Sequence, residues 1–290
     1  MRETPETRWI EVSGCENAKL LTESLGTGQP FIWAHSLLGS MAQDLEGEVL
    51  AWRELTDVAR VIRYDARGHG CSEVFGKPED FRWDKLANTL WQVADTYTED
   101  KVIVGGASMG CATSLYAACQ RPEQVKAMVL VIPPTAWELR AKMKRNYSFI
   151  AKFVNVTRGL PFRLLKLIPA AGGDAGFQRR VMSVMARHLA KANYKGVVGA
   201  MRGAALSDLP PLEELKKLTM PVLILAWPDD PTHPLSIAEK LHDTLPNSQL
   251  EVIESADDPY AWPQLVRGFI TSLPRARNSA TASRDRAKKR

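Results

Sequence analysis

The sequence predicts an α/β chain built on a mostly parallel, doubly wound sheet with a helical insertion. Three observations carry that expectation. Short runs that are apolar on consecutive residues alternate with segments of helical periodicity, as expected of parallel strands covered on both faces. The rhythm stops between residues 134 and 212, where the pattern is helical and basic, with no strand-like run. At 290 residues, 45% of them hydrophobic, the chain is long enough to bury a sizeable core.

The elements follow in order. Strands are expected at KLLTESL (19–25), FIWA (31–34), VIRY (61–64), VIV (102–104), AMVLVI (127–132), VLILA (222–226) and LEVI (250–253). Helices are expected at 81–97, 108–120 and 234–245. In the first of these, Leu86, Leu90, Val93, Ala94 and Tyr97 recur on one face. The last begins at Pro234, a residue suited to a helix start. Strand–helix–strand repeats imply right-handed crossovers. The basic stretch 134–212 is punctuated by RGLP (158–161), AAGGDAG (170–176) and LPP (209–211). It reads as a helical cap inserted between the AMVLVI and VLILA strands. The expected organisation is a core of 1–133 and 213–274, a cap of 134–212, and a basic, disordered tail of 275–290.

Charge is unevenly divided. The tail carries seven Arg/Lys against one Asp, and residues 136–212 carry fourteen Arg/Lys against Glu138, Asp174 and Asp208. With a net charge of only +5 for the whole chain, the remaining body is acidic. No run of about 18 apolar residues suggests a spanning helix, and the polar N-terminus MRETPETRWIE lacks the apolar region of a secretory signal. Cys15, Cys71, Cys111 and Cys119 show neither metal-type spacing nor a disulfide framework. They read as reduced thiols, and a cytoplasmic location is expected.

The chemistry centres on Gly106-Ala107-Ser108-Met109-Gly110, a G-x-S-x-G pattern between an apolar strand run and a helix pattern. A serine at a sharp strand-to-helix turn adopts a strained backbone, and the flanking glycines remove side chains that would block the fold-back. The turn lifts Oγ to the sheet's C-terminal edge, beside a helix N-terminus that favours developing negative charge.

Together with FIWAHSLLGS (31–40) and RVIRYDARGHGCSE (60–73), this motif resembles the α/β-hydrolase fold at three points in the right order, over most of residues 18–273. IRYDARGHG, GGASMGCAT, LVIPPTAWE and DPTHP are similar to stretches of a group of bacterial α/β-hydrolases. The resemblance implies oxyanion-hole N–H groups at Leu37 and Met109, with Ser36 standing where the family usually has glycine. It implies structural, loop-bridging roles for His35, His69, Asp65 and Arg67. Cys111, one turn into the helix, reads as a small buried side chain.

The family's acid follows the seventh strand, and its G-x-x-D-P pattern aligns with Trp227-Pro228-Asp229-Asp230-Pro231, which makes Asp230 the acid candidate and Asp229 the fallback. The family's histidine follows the eighth strand, but this sequence has Ala256-Asp257-Asp258-Pro259 there and no histidine beyond His242. A carboxylate near pKa 4 is poorly matched to an alcohol's proton at pH 7. Five histidines exist, and His233 lies three residues after Asp230, between Pro231 and Pro234, in the loop that rims this fold's site. A triad is defined by geometry and not chain order, so His233 is the candidate base. Asp258 is a candidate to orient it; Asp230 is the other, although residues three apart on one short loop are expected to pair with difficulty. The alternatives are a degenerate triad, or His188 reaching in from the cap.

The expected activity is hydrolysis of a carboxylic ester, thioester or lactone through a serine acyl-enzyme. The competing readings are a non-catalytic binder and a lyase on the same scaffold. No metal or organic cofactor is implied. The basic cap suggests an anionic or acyl-chain substrate, or contact with an acidic membrane surface; nucleic acid is not expected, since no binding motif accompanies the charge.

Overall fold

The consecutive apolar runs become the inner strands of one eight-stranded sheet. A computed structural model of the chain describes residues 4–13, 18–47, 50, 52–167, 176–254 and 261–274. In chain order its elements are β1 (Glu6–Glu11), β2 (Lys19–Leu25), β3 (Gln29–Ala34), α1 (Met41–Glu46), β4 (Ala59–Tyr64), α2 (Trp83–Tyr97), β5 (Val102–Ala107), α3 (Met109–Gln120) and β6 (Val125–Val131). There follow α4 (Arg140–Thr157), α5 (Leu160–Leu164), α6 (Phe177–Leu189), α7 (Tyr194–Leu206), α8 (Leu212–Leu215), β7 (Val222–Ala226), α9 (Leu235–Thr244), β8 (Ser248–Val252) and α10 (Trp262–Ser272).

The strand order is β1-β2-β4-β3-β5-β6-β7-β8. β2 pairs antiparallel with β1 and β4, and every other neighbour is parallel. All six residues of β5 and all five of β7 are buried, which is why these strands are apolar without alternation. One apolar cluster lies under α2, α3 and α9; the other, on the opposite face, gathers Trp33, Trp52, Trp262 and Phe269 beneath α10.

β1 departs from the sequence expectation, which placed no strand before residue 19. Its residues ETRWIE bury only Ile10. It is an edge strand with a single neighbour, and charged side chains there discourage further pairing. Such a strand carries almost no apolar signal. Other boundaries move by a few residues, β8 beginning at Ser248 and β6 at Val125.

Among the described residues, the segment between β6 and β7 contains helices and no strand. Arg158 and Gly159 both take left-handed backbone conformations, with φ of 50° and 75°, and end α4 at the RGLP signal. α4 and α7 pack together over a small cluster of Ala151, Val154, Leu189, Val197, Val198 and Met201, which also touches Leu37 and Leu38. The segment therefore sits against the loop that follows β3. Arg140 locks its base: the buried guanidinium donates to the carbonyls of Thr135, Ala204 and Ser207 and lies 4.2 Å from the Trp83 ring centroid. On the far side, Glu46 of α1 receives hydrogen bonds from Arg187 and His188 of α6, the latter at 2.8 Å. No helix among the described residues is long and apolar enough to cross a membrane.

Candidate active site

Parallel strands place their following loops on one edge of the sheet, and ligand sites in open α/β sheets form there. Ser108 joins β5 to α3 with φ 51° and ψ −107°, a conformation that a side-chain-bearing residue adopts only under constraint. The constraint is visible. Its N–H donates to the Val131 carbonyl at 3.0 Å, and its own carbonyl accepts from Cys111 and Ala112 in the first turn of α3. A Cβ on Gly110 would run into the Ala34 carbonyl oxygen, and one on Gly106 would meet both Ala34 and Gly110. The two glycines of the motif are thus the only way to bring α3 this close to β3. Cys111 is buried, with its thiol against the Gly106 and Val131 carbonyls, and burial pushes its pKa far up.

The loop after β7 reaches back to this serine. β7 lies two strands from β5, about 10 Å at the usual strand spacing. The loop is carried across β6 by a hydrogen bond from Thr135 N–H to the Thr232 carbonyl, 3.2 Å. His233 Nε2 then lies 2.8 Å from Ser108 Oγ, and His233 Nδ1 lies 2.7 Å from Asp230 Oδ2. This pattern gives the neutral ring a proton on Nδ1, donated to Asp230, and leaves Nε2 to accept from the serine hydroxyl.

Pairing between residues three apart was expected to be difficult, and the loop shows how it is achieved. Asp229 turns the chain with φ 60°, and Asp230 Oδ1 accepts from the N–H groups of Thr232 (2.8 Å) and His233 (3.2 Å). The aspartate caps the turn that follows it, which swings the His233 ring back over the second carboxylate oxygen. That oxygen also accepts from the Trp227 indole N–H at 3.1 Å. Trp227 is buried, stacked on Trp262 at 5.1 Å, with Phe177 of α6 edge-on at 6.3 Å. Burial opposes ionisation of Asp230, but the hydrogen bonds from His233, Trp227 and Thr232 outweigh it and hold its carboxyl well below the usual carboxylate range. Sequence reasoning missed Trp227. The signal was present, since a tryptophan in place of glycine beside a candidate acid brings one N–H that burial obliges to find an acceptor.

Among the described residues, the backbone N–H groups of Leu37 and Met109 have no protein acceptor. Met109 starts α3 immediately after Ser108, and Leu37 lies in the loop after β3, the strand next to β5. Asp258 falls in 255–260, outside the described residues. The other histidines are engaged elsewhere. His35 accepts from Ala66 N–H at 3.0 Å on Nε2 and donates to the Ser36 carbonyl at 2.7 Å, and burial lowers its pKa to about 4. His69 donates to the Arg67 carbonyl at 3.0 Å, and burial lowers its pKa to about 3. Asp65 accepts from Met41 and Cys71 N–H, both at 2.8 Å, tying the loop after β4 to α1. His188 faces Glu46 and His242 faces Ser248. Among the described residues, no cluster of His, Cys, Asp and Glu is arranged to hold a metal ion.

This arrangement agrees with what the whole chain resembles. The family described as alpha/beta hydrolase fold matches residues 29–259. The chain belongs to the α/β-hydrolase fold family. Among curated proteins, this chain is 25% identical over 204 residues to 3-oxoadipate enol-lactonase 2 of Acinetobacter baylyi, covering 68% of this chain and 71% of that protein. It is 24% identical over 281 residues to 3-oxoadipate enol-lactonase 1 of the same organism, covering 92% and 94%. Among solved structures, a thermophilic esterase from Thermogutta terrifontis superposes with a TM-score of 0.72 at 22% identity, covering 92% of this α/β-hydrolase and 97% of that chain.

Proposed function

We propose that this α/β-hydrolase cleaves a small carboxylic ester or lactone, with thioesters as the related class, through an acyl-enzyme on Ser108. The observation that carries the reading is the unbroken hydrogen-bonded path from Asp230 through His233 to Ser108. As Oγ attacks the substrate carbonyl carbon, its proton passes to His233 Nε2. The imidazolium so formed is stabilised by Asp230, which stays ionised because its carboxyl is held below the usual range. The carbonyl oxygen becomes an oxyanion, and the unpaired N–H groups of Leu37 and Met109 are its donors. Collapse breaks the ester C–O bond, and His233 returns the proton to the departing alkoxide. In the second half, His233 deprotonates a water that attacks the acyl carbon, and Ser108 leaves reprotonated. With a lactone the alkoxide stays tethered to the acyl group, and the product is one open-chain hydroxy acid or its tautomer.

The names of the curated relatives, two enol-lactonases, support the ester-or-lactone class, as does the esterase title of the structural neighbour. The test is hydrolysis of p-nitrophenyl acetate and butyrate and of unsubstituted γ- and δ-lactones by wild type and Ser108→Ala. The reading expects wild-type turnover on at least one class and a loss of about 10³-fold or more in the variant. Equal rates for the two proteins would overturn it.

A further inference from the structure

The helical segment between β6 and β7 carries an apolar face that no described residue covers. α4 is apolar on two opposite sides. Tyr147, Ala151 and Val154 lie on the side that packs against α7. At 3.6 residues per turn, Phe149, Phe153 and Val156 fall on the opposite side, where they are 71%, 48% and 74% exposed. Leu160, Leu164 and Leu167 follow immediately, also exposed. A surface helix of a monomer ordinarily turns charged and polar residues outward, so several large apolar side chains on its solvent side mark an interaction surface.

The charge around this face identifies its partner. From residue 139 to 173 the sequence contains no Asp or Glu. Lys142, Arg145, Lys152, Arg158 and Arg163 are exposed, and none forms an ion pair among the described residues, whereas the neighbouring Lys144 is spent on Asp208. Arg145 and Lys152 border the Phe149–Val156 stripe on one flank, so cations and apolar groups face the same way. A second copy packing this same face would meet it with like charge, and a nucleic-acid duplex would leave Val156 and Leu160 uncovered. A bilayer with acidic headgroups satisfies both components at once.

We propose that α4 and α5 dock this hydrolase on an anionic lipid surface, Phe149, Phe153 and Val156 entering the interfacial layer while Lys152, Arg158 and Arg163 meet the headgroup phosphates. The inference is independent of the chemistry assigned to Ser108. Docked this way, the segment that packs on the Leu37–Leu38 loop faces the bilayer, and substrates that partition into lipid are concentrated beside the site.

The test is co-sedimentation of the full chain with vesicles of phosphatidylcholine alone and of phosphatidylcholine with phosphatidylglycerol. Three variants accompany wild type: Phe149→Ser with Phe153→Ser, Lys152→Glu with Arg158→Glu and Arg163→Glu, and Lys288→Ser with Lys289→Ser and Arg290→Ser in the basic tail. Thermal unfolding of each identifies the variants that fold as wild type does. The proposal expects binding to the anionic vesicles only, and a fall of at least about tenfold for both cap variants. The tail variant should stay within about threefold of wild type, since three peripheral charges without apolar anchors contribute less. If one cap variant fails to fold, the other carries the comparison. Binding that survives in the folded cap variants but vanishes with the tail variant overturns the proposal. So does a lack of vesicle binding by wild type, or a solution dimer that Phe149→Ser with Phe153→Ser dissociates, which would assign the face to a second copy.

Discussion

His35 and His69 set how this hydrolase responds to acid. Both rings are buried, 4.9 Å apart; His35 bridges the Ala66 N–H and the Ser36 carbonyl, and His69 donates to the Arg67 carbonyl. His35 cannot take a second proton without opposing the Ala66 N–H that points at Nε2. An unfolded chain protonates each ring near pH 6.5, whereas the folded protein resists until about pH 4 for His35 and about pH 3 for His69. The unfolded state therefore binds more protons across this window. The stability these two histidines contribute is full above pH 6.5 and falls as the pH descends toward 4.

At pH 5 the unfolded chain gains about 2 kcal/mol from each protonated imidazole while the folded state gains almost nothing, so the two together remove about 4 kcal/mol. Against a typical total of about 5–15 kcal/mol this is a large fraction. The assay is urea unfolding at pH 7.5 and pH 5 for wild type and His35→Asn, whose amide keeps a donor for the Ser36 carbonyl. Burial raises the Asp44 carboxyl to about 6, and its proton uptake in the folded state returns about 1 kcal/mol over this range. Wild type should therefore lose about 3 kcal/mol net between the two pH values, a drop in midpoint of roughly 1–2 M urea. His35→Asn should start less stable and lose about 2 kcal/mol less than wild type does. An equal pH-dependent loss in both proteins would refute the reasoning, as would a wild type whose stability is flat over this range.

Two further outcomes follow from the site. Asp230→Asn removes the acceptor for His233 Nδ1–H and lets the amide favour the wrong tautomer, so kcat should fall by about 10³–10⁴ with the fold retained; a loss of less than about tenfold would pass the orienting role to Asp258. Because the Asp230 carboxyl is held below the usual range, acid inactivation of wild type between pH 7 and 4 should not track its protonation. Gly110→Ala should prevent or severely weaken folding, by several kcal/mol in a urea or thermal titration, because its Cβ meets the Ala34 backbone rather than a movable side chain.

The sequence made the sheet legible where burial left a pattern, two-sided in β7 and alternating in β2. β2 and β7 match their expected spans because KLLTESL and VLILA are bounded by polar residues or turn signals. β1 was illegible because an edge strand that buries only Ile10 has no pattern to read. The serine turn could be read because its requirements are steric and local, down to the two glycines pressed against Ala34. The candidacy of His233 could be read from its place in the loop after β7, but not how the loop closes on Ser108, since that depends on β6 lying between their strands and on Thr135 holding the loop. Spacing along the chain also misjudged the Asp230–His233 pair, because the aspartate's bonds to the Thr232 and His233 N–H groups form only once the loop is folded. The helices of the insertion were foreseen as helices, but not which face of α4 would be left exposed. That required knowing where α7 packs.

We propose that His233, placed after the seventh strand instead of the eighth, is the base for Ser108. This role is tested most directly by labelling with a fluorophosphonate, which reacts with an activated serine whatever the natural substrate. Wild type and His233→Ala would be compared by labelling rate, with the modified residue located by mass spectrometry. With His233 as the base, Ser108 is modified in wild type and the rate falls by about 10³-fold or more in His233→Ala. Labelling of Ser108 at the same rate in both proteins would contradict it.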